Sequence, residues 1–197
     1  MPAAAIVDYN VDWPVRAERL LSKIGGAFGC LQGSDRFDYD HIGSTAVPGL
    51  AAKPIVDLQV RMPSLPSLAD LAGLLAPTGF VPAPGARPDS PGVHHDTPRP
   101  GDRTDAVLYE KRLFHAPDQA AILHIRRIDS PFAAFVVHFR DWLRQHPDQA
   151  HRYELLKRTL AVKHAGDPDY DDYTRGKSSF FDEIDPRLRE RVSSRDG

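Results

Sequence analysis

Apolar and polar positions alternate along this chain in two rhythms. From Trp13 to Leu31 the apolar residues Trp13, Ala17, Leu20, Leu21, Ile24 and Phe28 recur at helical spacing. Asp12 is the expected N-cap and Pro14 falls in the first turn. Gly25-Gly26 mark where such a helix would bend or stop, at a cost of roughly 1 kcal/mol per glycine. The rhythm then shortens. Asp38 to Thr45 reads as a strand entering a tight turn. After the Pro48-Gly49 loop, Ile55 to Arg61 alternates Val56, Leu58 and Val60 with Ile55, Asp57 and Gln59, which gives one apolar and one largely polar face. A short helix over Leu65 to Leu75 and an extended piece over Thr78 to Val81 follow.

Pro82 to Asp105 holds six prolines and three glycines with almost no apolar residues, the pattern of a long surface loop. Val107 to Phe114 and Ala121 to Ile128 flank Pro117-Asp118 as a hairpin. In its second arm Leu123 and Ile125 share one face, His124 and Arg126 the other. Ser130 and Pro131 then open a helix with a wide stripe of Phe132, Phe135, Val136, Phe139, Trp142 and Leu143, which reads as core. A second helix is expected from Pro147 to His164, with Tyr153, Leu156 and Leu160 inward and Gly166 as its cap. A third is expected from Asp169 to Ile184, with Lys177 interrupting the stripe of Tyr173, Phe180, Phe181 and Ile184, before a frayed, charged tail. The whole predicts one domain over residues 1–197, an α/β (α+β) core with a mixed sheet at 1–128 and a helical appendage at 130–185 packed on the site's side.

Composition narrows the function classes. The 25 basic and 27 acidic residues leave a net charge of −2, without the basic stripe that nucleic-acid binding requires. The single cysteine, Cys30, excludes an intrachain disulfide and a Cys-x-x-Cys site. Met1 to Val7 lack the basic start of a secretory signal, and no apolar run of about twenty residues spans a membrane, so a cytoplasmic protein is expected.

The chemistry concentrates in His41 to Val60, H-I-G-S-T-A-V-P-G-L-A-A-K-P-I-V-D-L-Q-V. A Gly43-Ser44 turn after a strand brings backbone N–H groups and a hydroxyl close to phosphate oxygens. Lys53 sits just before Pro54, either near the same cleft or as a solvated loop residue. Asp57, pointing from its strand, suits a magnesium ion shared with substrate phosphates. On the dipeptide alone an ordinary turn is the plainer reading; the carboxylate at this spacing reverses that preference. The adjacent His94, His95 and Asp96 invite a metal reading, yet as neighbours in a proline-rich loop they read as plain loop.

A Gly-Ser turn followed about a dozen residues later by apolar-Asp-apolar-acid-apolar resembles the nucleotidyltransferase superfamily. The wording H-I-G-S-T-A-V-P-G-L-x-x-K-P-I-V-D resembles its GrpB family, as do Lys111-Arg112, His124, F-R-D-W-L-R-Q-H-P over Phe139 to Pro147, Tyr153 to Lys157 and Tyr173 to Phe181. The resemblance implies a nucleoside triphosphate as substrate, Mg²⁺ or Mn²⁺ as cofactor, and nucleotidyl transfer to a small-molecule or protein acceptor. On it, Asp57 and Gln59 hold the metal, Gly43, Ser44, Lys53 and Lys177 meet the phosphates, and His124 assists the metal or the acceptor. Gln59 stands where active members carry a second acid, and the third position falls to His124 or Glu110. That departure makes a catalytically inactive nucleotide- or ligand-binding module the alternative to transfer, and an acid converging on Asp57 would decide for catalysis.

Overall fold

The computed structural model describes residues 5–85, 89–90 and 92–193. Helix α1 (Asp12–Phe28) opens one residue earlier than its pattern predicts, because the Asn10 side chain accepts the Asp12 N–H at 2.8 Å. Asp12 is therefore a first-turn acid, favourable at the helix's positive end, and not the cap. The helix runs through Gly25-Gly26, and Gly25 stands where a Cβ would touch the Tyr39 ring at 3.8 Å.

Five strands follow in one mixed sheet: β1 (Asp38–Ile42), β2 (Val56–Met62), β3 (Val81–Pro82), β4 (Lys111–Ala116) and β5 (Ala121–Arg127). Their spatial order is β1-β2-β5-β4-β3, and only β2 and β5 pair parallel. The sheet makes the fold mixed α/β, as the alternating pattern predicts. Helix α2 (Leu68–Leu75), capped by Ser67, joins α1 on one face. There Leu20, Ile24, Phe28, Val56, Leu58, Val60, Leu71, Leu75, Phe114, Leu123 and Ile125 form a buried core. Each fully buried large side chain stabilises by roughly 1.5–3 kcal/mol.

The second face of the sheet is polar along β2 and β5, and α3 (Pro131–Gln145), α4 (Pro147–Lys163), α5 (Asp171–Arg175) and α6 (Ser178–Ser193) cover it. Phe135, Phe139, Trp142, Tyr153, Phe180 and Ile184 form a second core among these helices, so the stripe expected on α3 is core. The stretch predicted as one helix over Asp169–Ile184 is two. The break falls at Gly176, where a Cβ would stand 2.5 Å from Leu160 of α4, so the chain turns at its point of closest approach. Gly166 is not a left-handed cap: α4 ends at Lys163 with His164 as its C-cap. α6 continues to Ser193, beyond the start of the tail expected to fray, and residues 194–197 of that tail lie outside the described residues.

The proline-rich stretch is not simply surface loop. Asp96 N–H donates to Tyr109 O, Lys111 N–H to His94 O, and His95 bridges Glu110, which lays the segment along the chain entering β4. Residues 86–88 and 91 of the stretch lie outside the described residues. Among the described residues no helix is long and apolar enough to cross a membrane.

Candidate functional site

The site begins where β1 ends. Gly43 adopts φ 72° and ψ −170°, a backbone region essentially restricted to glycine, and Ser44–Ala46 form a single 3₁₀ turn. Register sets Ile42 opposite Asp57, so the Asp57 side chain lies against the turn. A Cβ on Gly43 would meet Asp57 Oδ2 at 2.6 Å. Two arginines of α3 hold the turn from behind: Arg140 Nη1 donates to His41 O at 2.9 Å, and Arg144 donates to Ala46 O at 3.0 and 2.8 Å. The Ser44 hydroxyl meets the phenol of Tyr153 on α4.

Beside Asp57, the sheet carries a buried polar network. Arg126 Nε and Nη2 donate to Asp96 at 2.7 and 3.1 Å, and its Nη1 donates to Gln59 Oε1 at 2.8 Å. Lys111 Nζ donates to Asp96 Oδ1 at 3.1 Å. Burial acts to raise the Asp96 carboxyl, but Arg126 and Lys111 outweigh it and hold it far below the carboxylate range. Burial, only partly offset by Asp96, pulls Lys111 down to about 8.

His124 of β5 faces this network with one nitrogen and Asp57 with the other. Its Nδ1 receives Lys111 Nζ at 3.2 Å and Arg126 Nη2 at 3.4 Å. A guanidinium only donates, so Nδ1 is the acceptor and the proton belongs to Nε2. That Nε2 lies 3.8 Å from Asp57 Oδ1, an electrostatic contact rather than a full hydrogen bond. Burial first, then the charges of Lys111 and Arg126, bring His124 from 6.5 down to about 4, so it is neutral at pH 7. Burial pushes the Asp57 carboxyl up, and His124, Lys53 and Lys177 more than reverse that.

Three lysines from three parts of the chain gather here, Lys53 and Lys177 facing Asp57 and Lys157 beside Lys177. Lys53 lies between β1 and β2, in a segment held by the Val7–Ala52 bridge, and its Nζ sits 4.0 Å over the Tyr170 ring and 4.8 Å over Tyr173. Lys177, in the break between α5 and α6, sits 5.0 Å over the Tyr173 ring. Lys157 of α4 is 2% exposed, donates to Ala51 O and lies 5.0 Å from the Tyr153 ring centre. Among the described residues none of the three forms an ion pair with a carboxylate. Burial lowers all three. Lys157 falls to about 7, with Lys177 adding to the effect, and Lys177 to about 8, with Lys53 adding to it; Asp57 raises Lys53 and Lys177.

Gly43, Ser44, Lys53, Asp57, His124 and Lys177 are thus brought together. Gln59 is adjacent but fully buried, with its oxygen taken by Arg126 and its amide donating to Ala133 O at 3.1 Å. Glu110 does not converge on Asp57: its backbone bridges His95, and its half-exposed carboxylate lies 3.9 Å from Arg112. Arg112 accordingly faces Glu110, while Arg126 is buried between Asp96 and Gln59. His94 and His95 are exposed; Asp96 is buried, which corrects the plain-loop reading of that residue. Among the described residues no three His, Cys, Asp or Glu side chains are grouped to hold a metal ion. Asp57 alone offers a carboxylate, which suits one cation shared with a ligand and does not suit a protein-held pair. Lys157 and Tyr153 were not singled out by sequence as site residues, although Tyr153, Lys157 and Leu160 share one helical face at i, i+4 and i+7.

The family model described as GrpB protein matches residues 3–187. A dephospho-CoA kinase of Mycolicibacterium paratuberculosis is 31% identical over 188 residues, covering 89% of this chain and 44% of that protein. The UPF0157 protein YqkA of Bacillus subtilis is 25% identical over 179 residues, again covering 89% of this chain and 44% of that protein. The chain therefore spans less than half the length of these two relatives. The crystal structure of a conserved protein GrpB from Enterococcus faecalis aligns with a TM-score of 0.66 at 22% identity, covering 95% of this chain and 99% of that one, a likeness of fold.

Proposed function

We propose, from the premise that the chain belongs to the GrpB family, that it binds a nucleoside triphosphate in the cleft between the Gly43-Ser44 turn and helices α4 to α6. The observation that carries this reading is the excess of positive charge there: Lys53 and Lys177 face the carboxylate of Asp57, Lys157 stands beside Lys177, and His124 is neutral. Buried charge without a partner is costly, and a phosphate chain supplies the partner. The Ser44 hydroxyl and the turn's backbone bind phosphate oxygens, while Lys53 and Lys177 neutralise them. Mg²⁺ or Mn²⁺ enters as the nucleotide's companion, with Asp57 as its protein ligand.

The reading is that of a binding module rather than a two-metal enzyme, because Gln59 is engaged by Arg126 and Glu110 points elsewhere. An accessory part beside a phosphoryl-transfer enzyme accords with the dephospho-CoA kinase name of a relative of which this chain spans 44%. Titration calorimetry of the four common nucleoside triphosphates, with Mg²⁺, tests it. Wild type binds, and the Lys53→Gln/Lys177→Gln variant loses at least about tenfold in affinity. Equal heats from both proteins would refute it.

A second reading, nucleotidyl transfer, draws on the Asp57 carboxylate that His124 Nε2–H faces at 3.8 Å. In it an acceptor hydroxyl, of a small molecule or a protein, attacks the α-phosphorus, its proton passes to Asp57, and pyrophosphate leaves. His124, with its proton on Nε2 and its Nδ1 engaged, orients Asp57 and ligates nothing. Pyrophosphate release that Asp57→Asn abolishes would select this reading over simple binding.

A further inference from the structure

Resting on the phosphate-binding reading above, we propose that the cleft recognises the linear phosphate chain itself and requires neither a divalent metal ion nor the base. Its ligand class then includes inorganic tripolyphosphate as well as nucleoside triphosphates. Lys157 makes the difference. A lysine is almost never fully buried unless paired, yet Lys157 is 2% exposed and its donor contact is a backbone carbonyl, Ala51 O. It lies beside Lys177 and beside Tyr153, whose phenol meets Ser44, so it extends the positive lining from Lys177 towards the turn.

The charges present make a metal unnecessary. Lys53 and Lys177 repel each other beside the single carboxylate of Asp57, and Lys157 adds to that repulsion at Lys177, so the lysines already supply the cations that a phosphate chain would otherwise draw from a metal ion. A chain of phosphates, carrying about one negative charge per group, matches the lining directly. The aromatic side chains offer little to a base: Tyr153, Tyr170 and Tyr173 each carry an ammonium over the ring. Those contacts fix the ammonium groups in place instead.

The test is titration calorimetry of sodium tripolyphosphate and of ATP, each in EDTA and in Mg²⁺. Tripolyphosphate is expected to bind in EDTA within about tenfold of the affinity of ATP, and Lys157→Gln and Lys177→Gln are each expected to weaken it by about tenfold. Asp57→Asn, which removes the negative charge while keeping the shape, is expected to tighten metal-free binding. Should Lys157→Gln fail to fold, Lys177→Gln and Asp57→Asn carry the test. ATP binding only in Mg²⁺, with tripolyphosphate silent in EDTA, would overturn this inference and leave nucleotide binding standing. Weaker metal-free binding in Asp57→Asn would also overturn it. Silence of both ligands under every condition would overturn the inference together with the reading on which it rests.

Discussion

At Gly43 two demands meet: the backbone takes φ 72° with ψ −170°, and Asp57 Oδ2 lies where a Cβ would stand. Gly43→Ala therefore has to strain the turn or displace the carboxylate. It is expected to lower stability by about 2 kcal/mol and to weaken triphosphate binding, read by urea denaturation and calorimetry. An alanine variant as stable as wild type would contradict the close approach. His124 makes a separate prediction. Its pKa is about 4 when folded against 6.5 ordinarily, so between these values the unfolded chain binds the proton more readily. The stability it contributes is complete above pH 6.5 and is lost as pH falls towards 4, and His41, also held near 4 by burial, acts in the same direction. In His124→Asn, whose oxygen still accepts from Lys111 and Arg126, the loss of stability between pH 7 and pH 4.5 becomes smaller. A slope identical to wild type would contradict the neutral imidazole. Gly43 and Asp57 were legible in sequence because their spacing encodes a turn packed on a strand. Gln59 misled, since an amide on the polar face of a strand reads alike whether it meets a metal or, as here, an arginine.

The elements show where local patterns suffice. β2 alternates strictly, β5 does so from Leu123 to Arg126, and each projects its polar residues, Asp57 and Gln59 or His124 and Arg126, onto the face the alternation predicts. α3 declares itself through Ser130, whose side chain accepts the Ala133 N–H at 3.4 Å, and Pro131 in the first turn. The proline-rich segment was less legible. Its buried carboxylate, Asp96, has no periodic signature, because its partners Lys111 and Arg126 come from strands fifteen and thirty positions later. The Asp169–Ile184 stripe likewise conceals its break, for Gly176 is demanded by Leu160 on another helix. Asp96 carries the prediction at this scale. Asp96→Asn leaves Lys111 and Arg126 buried without their counter-charge and is expected to cost about 3 kcal/mol or more by urea denaturation at pH 7. A change within about 0.5 kcal/mol would mean that the segment is not anchored through this residue.

Across the whole molecule, one sheet divides two unlike interiors. Its α1–α2 face is apolar, and its other face holds the Asp96 network and the lysine-rich cleft under four helices with an aromatic core of their own. The strand order could be drawn only from the structure, since the β2–β5 pairing joins segments more than fifty residues apart and leaves no local trace. The cleft likewise needs the assembled molecule: Lys53 comes from a loop, Lys157 from α4 and Lys177 from the break before α6, so its charge excess exists only when these are packed together. A ligand that binds only the folded state raises its stability, by about 2.7 kcal/mol at a hundredfold excess over its Kd. The most direct test is therefore thermal denaturation of wild type and the Lys53→Gln/Lys177→Gln variant with increasing nucleoside triphosphate, with and without Mg²⁺ or Mn²⁺. A concentration-dependent rise in Tm for wild type that is lost in the variant is the predicted result; no rise in wild type with any triphosphate under any of these conditions would contradict nucleotide binding in this cleft.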